Sequence, residues 1–397
     1  MAESIEPVDL AERLARGERT GVVDVRNRDE FEEWHVEGPG AEVAQIPHAK
    51  FLQAQVRGGA ADLVADVPEP IVAVCAVGEA SDHAAELLRD SGLDAMNLAG
   101  GMEAWAEVLL ARSLDTPDGA EIVQYQRPAT GCLGYLVVDG DEAAVIDPLR
   151  AFADRYADHA GDAGADLRYA IDTHVHADHV SGVAAVAERT DAEPALPAGA
   201  WDRGFDSDLD YAALADGDVL ELGEATTIRA VHAPGHTGEM TALLVERAGG
   251  TAEAASGDAE EPSDGAPGTL LTGDSLFVDG VARPDLEADV DPAEAAATLH
   301  ETLQELGDRL PGRTLVAPGH VKQQTEPAAA GTYVATLGDL VDRLEPFDLD
   351  TDAFVRSVTD ELPPPPANAE QIVAANLGQT TIDDLEEVEL GPNNCAA

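Results

Sequence analysis

Residues that can bind a metal ion are concentrated in one short segment of the chain. The run THVHADHVSG at residues 173–182 places three histidines and an aspartate within six positions, directly after the apolar residues 167–171. Imidazole and carboxylate groups are ligands that suit zinc or iron. His174 and His176 are two residues apart, so both side chains can leave an extended chain on the same face. The segment predicts a metal site at the end of a buried strand.

Three further ligand candidates lie downstream, each after an apolar run and beside glycine or proline. They are His236 in PGHT, Asp274 in TGDS and His320 in PGH. Any one of them alone would be read as a loop histidine or a turn aspartate. Together with the first cluster, and in this order, they indicate a metalloenzyme.

The order HxHxDH, PGHT, GD and PGH resembles the metallo-β-lactamase superfamily, and the likeness covers about residues 120–340. The resemblance implies an αββα sandwich with the metal at the edges of the sheets. It leaves the reaction open, because the superfamily includes both hydrolases and oxidoreductases.

The elements that would position these residues fall into several regions. Residues 1–112 alternate short apolar runs with helical patterns, which predicts a small parallel α/β domain with strands at 22–25, 71–74 and 96–98. Residues 113–120 indicate a linker. We expect a metal domain over 121–345, with an acidic loop inserted at 247–268, and a helical, proline-rich extension over 346–397 that packs on the metal domain.

A possible nucleophile lies in the first region. Cys75 ends a predicted strand and begins the loop CAVGEAS, which leads into a helix whose predicted N-cap is Ser81. Backbone N–H groups and the positive end of the helix dipole would stabilise a thiolate there, or a persulfide. The alternative is a buried structural cysteine.

Residues 1–112 resemble a rhodanese domain, through VDVR at 23–26, CxxGxxS at 75–81 and LAGGMEAW at 98–105. The resemblance implies that Cys75 is a sulfur-carrying nucleophile. The expected fold class is therefore an α/β rhodanese domain followed by an α+β metallo-β-lactamase sandwich. The chain has Ala76 and Ala80 where many active members carry arginine, which weakens the case for thiosulfate as sulfur donor. A degenerate, structural module is the alternative.

Within the superfamily, the second domain resembles the persulfide dioxygenase branch. The motifs are HVHADHVSG at 174–182, GDSLFVDGVARPDL at 273–286, LPPPPANA at 362–369 and GPNNC at 391–395. The resemblance implies oxidation of a low-molecular-weight persulfide by dioxygen to sulfite and the thiol. It also implies one Fe(II) per chain. Sulfite could then be joined to a persulfide sulfur as thiosulfate, or the rhodanese could supply persulfide to the iron.

Carried over by motif, the iron ligands would be His174, His236 and Asp274, a facial triad that leaves coordination positions open. Four neighbours would orient the ligands and bind water: His176, Asp178, His179 and His320. Arg283 would grip a substrate carboxylate, or would instead form an ion pair with Asp285. Glutathione is the usual thiol carrier in the family, but no set of glutathione contacts matches here. The family usually continues PGHT with Pro-Gly-Ser, whereas residues 238–240 are Gly-Glu-Met, which leaves the substrate contacts open.

Two other functions remain compatible with the sequence. One is a dinuclear zinc hydrolase of the glyoxalase II or lactonase type, since all seven ligands for two zinc ions are present: His174, His176 and His236, then Asp178, His179 and His320, with Asp274 bridging. The other is a sulfur carrier or regulatory module in which Cys75 relays sulfur to a partner.

The composition indicates the compartment. The 397 residues include 78 acidic and 23 basic side chains, giving a net charge of −55, which would repel nucleic acid and anionic lipid. Molar salt would screen most of this repulsion, so we expect a cytoplasmic protein of a salt-accumulating organism. The amino terminus lacks signal-peptide features, and no apolar run is long enough to span a bilayer. The three cysteines are odd in number and widely spaced, which favours a reducing compartment. A homodimer is compatible with these features.

Overall fold

The computed structural model describes residues 3–248, 267–287, 290–360, 362, 364–382, 388–389 and 395. The predicted acidic loop at 247–268 lies mainly outside the described residues, although Arg247 still belongs to a strand and residues 267–268 are described. No helix within the described ranges is both long enough and apolar enough to cross a membrane.

The first domain is a five-stranded parallel sheet with helices around it. Its strand order is β1-β5-β4-β2-β3, and every neighbouring pair is parallel. The strands are β1 (Ser4–Ile5), β2 (Thr20–Asp24), β3 (Ala41–Gln45), β4 (Ile71–Val74) and β5 (Ala95–Leu98). The helices are α1 (Pro7–Ala15), α2 (Arg28–Glu33), α3 (His48–Arg57), α4 (Glu79–Asp90) and α5 (Gly101–Ala106). Strands β2 and β4 are buried along their whole length, as expected for a parallel sheet covered on both faces.

The second domain is a sandwich of two mixed sheets. The first sheet has the order β12-β11-β10-β9-β8-β7-β6, and the second has the order β13-β14-β15-β16-β19-β20. The first sheet contains β6 (Leu110–Ser113), β7 (Glu121–Gln126), β8 (Leu133–Asp139), β9 (Glu142–Ile146), β10 (Asp166–Ile171), β11 (Glu193–Pro197) and β12 (Ala212–Leu214). The second contains β13 (Val219–Leu222), β14 (Thr226–His232), β15 (Thr241–Arg247), β16 (Thr269–Gly273), β19 (Leu315–Pro318) and β20 (Ala335–Thr336), and a small hairpin beside it is formed by β17 (Leu276–Phe277) and β18 (Gly280–Val281).

Helices cover both outer faces of the sandwich. Helices α6 (Ala153–Asp162) and α7 (Val183–Arg189) pack on the first sheet. Helices α8 (Pro292–Arg309), α9 (Leu337–Arg343) and α10 (Thr351–Thr359) pack on the second, and α11 (Ala369–Asn376) lies near the ligand loop. The core between the sheets joins apolar side chains of both, including Ile146 and Ile171 with Ile228 and Leu243. This arrangement confirms the predicted α/β domain followed by an αββα sandwich.

The predicted linker at 113–120 is wrong. Strand β6 begins at Leu110 and pairs antiparallel with β7, so residues 114–120 are the connection of a hairpin inside the second domain. The backbone N–H of Leu114 donates to the carbonyl of Ile122, and Leu114 is buried. The Pro-Asp-Gly signal at 117–119 was that of a turn within a sheet. Helix α5 accordingly ends at Ala106, and β6 begins at Leu110.

Candidate metal centre and sulfur-transfer cysteine

The ligand candidates lie where strands end on one edge of the sandwich. Strand β10 leads into the ligand loop, defined here as residues 172–182, and the β14–β15 connection carries His236. Strands β16 and β19 are parallel neighbours, with Gly273 paired to Pro318. Asp274 and His320 therefore leave the second sheet side by side. The topology accounts for the convergence of residues that are far apart in the sequence.

His174, His236 and Asp274 form the first group. One ligand atom from each lies within 4.8 Å of the others, and all three residues are buried. The Nε2 atom of His236 is 3.9 Å from Oδ2 of Asp274. Among the described residues, the Nε2 atoms of His174 and His236 have no hydrogen-bond partner. Buried polar atoms without a partner are costly, and two of them beside a carboxylate fit a metal ion.

Hydrogen bonds at the far side of each ring fix its tautomer. The Thr173 hydroxyl donates to Asp147 Oδ2 at 2.9 Å, so it accepts from Nδ1–H of His174 at 3.0 Å. Nδ1–H of His236 donates to the carbonyl of Arg283 at 2.9 Å. In both rings Nε2 then carries the lone pair that a metal requires.

The charge states agree with this assignment. Burial, followed by the neighbouring His176 and His236, holds the pKa of His174 well below its usual range, so the ring is neutral. Burial also raises the pKa of Asp274. A cation bound beside them would favour the charged form of Asp274 and is compatible with a neutral His174 ring.

Asp178 belongs to two neighbouring groups, one with His179 and Cys132 and one with His320 and Cys395, and the sequence analysis did not place either cysteine in the site. The Cys132 thiol donates to Asp178 Oδ2 at 3.2 Å, and Cys395 groups with Asp178 and His320. Burial raises the pKa of both thiols well above the usual value, so both are protonated in this state. The signals in the sequence were the place of Cys132 directly before β8 and the GPNNC motif that ends at Cys395, and neither shows what the two thiols contact.

His176 packs against His174, with ring centroids 4.2 Å apart, but its Nε2 atom faces two carboxylates outside the first group. Its Nε2 atom is 3.2 Å from Asp147 Oδ1 and 3.5 Å from Asp172 Oδ1. Burial opposes the charged ring, but the two carboxylates raise the pKa of His176 well above its ordinary range. The analysis of the sequence also missed Asp147, which follows β9, has a positive φ of 49°, and accepts from the Thr173 backbone N–H.

The ligand loop is held from three sides. The Asn376 side chain donates to the carbonyls of His176 and His179 and accepts from the Ser181 N–H, each at 2.9 Å. Glu389 accepts from the Val180 N–H at 2.8 Å. Glu239, in the stretch that departs from the family pattern, accepts from the Val175 N–H at 3.0 Å. The unusual Gly-Glu-Met sequence thus contributes a support for the ligand loop.

The Arg283 guanidinium is held by partners within the protein and does not have the arrangement expected for binding a substrate carboxylate. Its guanidinium donates to both carboxylate oxygens of Asp285, at 2.7 and 2.9 Å, and to the Pro364 carbonyl at 2.9 Å. Of the two alternatives for Arg283, the structure therefore has the ion pair with Asp285. Arg283 touches the centre through its backbone carbonyl, which orients His236.

Cys75 lies in the first domain, directly after β4. Its side chain is buried, and Sγ accepts from the Gly78 N–H and from the Ser81 hydroxyl, both at 3.1 Å. Ser81 is not the helix cap: α4 begins at Glu79 after Gly78, whose φ of 88° turns the chain. The loop places two hydrogen-bond donors on the sulfur at the start of a helix, an arrangement suited to a sulfur nucleophile.

The two domains touch through residues 127–132. Trp34 Nε1 donates to the Ala129 carbonyl at 2.9 Å, and Arg127 Nε donates to the Ala106 carbonyl at 3.3 Å. Cys132, at the other end of this segment, contacts Asp178 of the metal centre. Cys75 and the metal centre therefore lie in different domains, and the two domains are in direct contact.

Comparison with known proteins identifies the class. Residues 127–320 match the model of the metallo-β-lactamase superfamily, and residues 6–108 match that of the rhodanese-like domain. The chain belongs to the metallo-β-lactamase superfamily and carries a rhodanese-like domain in front of the superfamily fold.

Individual relatives differ in their described activities. The chain is 30% identical over 246 residues to a probable metallo-hydrolase of Burkholderia pseudomallei, covering 53% of this chain and 75% of the relative. It is 29% identical over 216 residues to the mitochondrial persulfide dioxygenase ETHE1 of Bos taurus, covering 52% and 72%. The crystal structure of ETHE1 from Myxococcus xanthus superposes with a TM-score of 0.51 at 23% identity, covering 68% of this chain and all (100%) of that one, which shows the shared fold.

Proposed function

We propose that this chain is a persulfide dioxygenase that oxidises the persulfide of a small thiol with dioxygen to sulfite and thiol, and that its first domain transfers sulfur through Cys75. The observation that carries the proposal is the His174–His236–Asp274 group, with two unpartnered Nε2 atoms beside one carboxylate. Two imidazoles and one carboxylate make the facial triad typical of non-haem Fe(II) oxygenases. The likeness to ETHE1 supports the same reading.

One ferrous ion per chain would be held by these three residues. When bound there, it would supply the redox chemistry that couples persulfide oxidation to the reduction of dioxygen. Thr173 and the Arg283 carbonyl hold the two rings in the ligating tautomer. The burial of the group excludes bulk water from a site that handles reactive sulfur.

The residues around the three proposed ligands would orient them. His176 is held by Asp147, and Asp178 contacts His179, His320 and Cys132. In the proposed function, Asp178 would orient His179 and His320 and hold water. Burial opposes its charge, but these two rings hold the pKa of Asp178 well below the usual range, so it stays charged.

The sulfurtransferase domain would complete the reaction sequence. A Cys75 persulfide attacked by sulfite at its outer sulfur would lose that sulfur as thiosulfate and return Cys75 as a thiolate. In the opposite direction, Cys75 would deliver persulfide sulfur to a small thiol for oxidation. The charge of −55 supports a salt-rich cytoplasm as the compartment for both steps.

A dinuclear zinc hydrolase is the second candidate. Asp178, His179 and His320 are assembled beside the first group, and His179 Nε2 has no partner among the described residues. That side of the centre would hold a second zinc ion, and two zinc ions there would supply the Lewis-acid chemistry for hydrolysis of a thioester or lactone. The relative described as a probable metallo-hydrolase supports this alternative.

Dioxygen uptake distinguishes the two. The iron-loaded protein is given a small-thiol persulfide in molar KCl, and sulfite is trapped and counted. We expect persulfide-dependent uptake that is lost in His236→Ala and Asp274→Ala and kept in Cys75→Ser. His232→Ala is the matched control, since the His232 side chain is exposed on β14 and its ring bonds the Gly238 carbonyl, away from the ligand group. Absence of uptake, with hydrolysis of thioesters by the zinc-loaded protein, would overturn the proposal.

A further inference from the structure

A cavity of about 350 Å³ opens beside Cys75. This volume suits a small molecule rather than a protein segment. It is lined by Val25, Arg26, Asn27, Glu30, Pro47, His48, Ala49, Cys75, Ala76, Val77, Glu79 and Ala80. The nucleophile lies at its buried end, because Cys75 is only 5% exposed whereas Ala76 and Val77 are exposed.

The one arginine in the lining is already neutralised. Arg26 Nε donates to both carboxylate oxygens of Asp24 at 3.1 Å, and Nη2 donates to Asp24 Oδ2 and to the Trp34 carbonyl. Asp24 is itself buried, so the pair is held away from water. An anion entering the cavity would have to compete with a buried carboxylate that holds the guanidinium through several hydrogen bonds.

The histidine in the lining carries no charge either. His48 Nε2 is 3.0 Å from Nδ1 of His83, so one ring donates and the other accepts. Burial, followed by the neighbouring His83, lowers the pKa of His48. His48 is therefore neutral at pH 7 and adds no attraction for an anion.

Two carboxylates remain in the lining without a cationic partner among its residues. Glu30 is fixed in place because the Asn27 backbone N–H and side-chain amide donate to its Oε2 at 3.1 and 3.0 Å. Glu79 is exposed at the start of α4 and lines the cavity together with Cys75 and Ala80. The cavity thus presents a donor pair for the sulfur at its base and negative charge at its walls.

We propose that this cavity selects persulfides of small thiols that carry an ammonium group, and that Glu30 and Glu79 are the residues that recognise it. The inference rests on the proposed sulfur transfer at Cys75 and names its donor. Thiosulfate, a dianion, is disfavoured at this site by the same two carboxylates.

The transfer step is a simple exchange. The Cys75 thiolate attacks the outer sulfur of R–S–SH, a bond forms between Sγ and that sulfur, and the S–S bond of the donor breaks. The products are Cys75–S–SH and the thiolate R–S⁻, so atoms and charge balance without an oxidant or reductant. The Gly78 N–H and the Ser81 hydroxyl hold the attacking sulfur in place.

A matched pair of donors tests the selection. Cysteine persulfide carries the ammonium group, and N-acetylcysteine persulfide is the same thiol without it. The full-length protein is mixed with each donor, or with thiosulfate, without oxygen so that no donor is oxidised. The gain of one sulfur atom on Cys75 is followed by mass spectrometry. Molar KCl is used because the Debye length is then about 3 Å, so repulsion from distant acidic side chains is largely screened while groups in direct contact still interact.

We expect loading from cysteine persulfide about tenfold faster than from the acetylated donor, since two solvent-accessible ion pairs are together worth about this factor. In Glu30→Gln/Glu79→Gln the ratio should fall to within about twofold. Glu33→Gln is the control, because Glu33 is an exposed acid of α2 outside the cavity lining. Ala80→Arg should raise loading from thiosulfate.

The outcomes separate this inference from the proposed function. Equal loading from the two persulfides, or a ratio that the double variant leaves unchanged, would overturn the selection by Glu30 and Glu79 while leaving sulfur transfer intact. Loading from none of the three donors would overturn sulfur transfer at Cys75 itself, and the selection with it.

Discussion

Hydrogen bonds on the outer side of His174 and His236 decide which nitrogen of each ring faces the proposed metal. The Thr173 hydroxyl is central, because it links the His174 ring to the Asp147 carboxylate. The backbone permits this close packing at Gly273, where φ is 46° and a Cβ would lie 2.4 Å from Thr173 Oγ1. Groups that orient ligands in this way usually affect metal affinity strongly.

Replacing Thr173 with valine should therefore weaken iron binding by about tenfold to a hundredfold, because the tautomer of His174 is no longer fixed. Competition with a chelator under anaerobic conditions measures the affinity. Thr298→Val is the control, since the Thr298 hydroxyl donates to the Glu294 carbonyl within α8, away from the centre. Equal affinities in the two variants would show that the Thr173–Asp147 link does not orient the ligand.

The ligand residues could be predicted because their chemical types are visible in the sequence and each follows an apolar strand. Asp147, Cys132 and Cys395 could not, because aspartate after a strand is common in turns and a single cysteine carries no spacing information. Only the strand order, which places the end of β9 beside that of β10, brings Asp147 to His176. The sequence could not decide whether Arg283 binds substrate or pairs with Asp285, because both roles need the same positive charge.

At the scale of elements, the end of α11 and the segment at 388–389 fasten the ligand loop to the rest of the domain. Asn376 makes three hydrogen bonds to the backbone of that loop. Neither contact could be predicted from the sequence, because both join residues about 200 positions apart. The strands were predictable from apolar runs, whereas the hairpin at 114–120 was mistaken for a linker because β6 is short and partly exposed.

Asn376→Ala should destabilise the domain by about 3 kcal/mol, at roughly 1 kcal/mol for each hydrogen bond lost. Amide hydrogen exchange of residues 176–181 should speed up more than exchange in the core strands. Gln371→Ala provides the comparison, because Gln371 lies on the same helix but is exposed. Unchanged exchange in the ligand loop of the Asn376 variant would rule out this fastening role.

Arg127 and Glu389 form a buried ion pair that connects the two domains to the ligand loop. Their side chains are 2% and 0% exposed, and Nη1 of Arg127 is 2.6 Å from Glu389 Oε2. Glu389→Gln should cost about 3–5 kcal/mol, because it leaves the arginine charge buried without its partner. The double variant Arg127→Met/Glu389→Gln should recover much of this loss in urea unfolding. A double variant as unstable as the single one would contradict the assignment.

At the scale of the whole molecule, the net charge of −55 sets the conditions for folding. Many arginines are used in exposed ion pairs such as Arg168 with Glu142 and Arg28 with Glu32, which contribute little individually. Acidic side chains outnumber basic ones by 78 to 23. Their mutual repulsion therefore opposes the compact state at low salt. This property follows from composition alone and needed no structure.

The melting temperature should therefore rise steadily between 0.1 M and 2 M KCl, as the Debye length falls from about 10 Å to below 3 Å. Thermal unfolding followed by circular dichroism gives the comparison, and NaCl should act similarly if screening is the cause. A melting temperature that is highest at low salt would show that the acidic surface does not govern stability.

The most direct test of the central claim is the number and kind of metal ions needed for activity. The metal-free protein is titrated with Fe(II) or with Zn(II) without oxygen, and persulfide-dependent dioxygen uptake is then measured at each ratio. Our account predicts that activity saturates at one iron per chain, that zinc gives none, and that Asp274→Asn binds no iron tightly. Activity that appears only with two zinc ions per chain, as hydrolysis of a thioester or lactone, would contradict it.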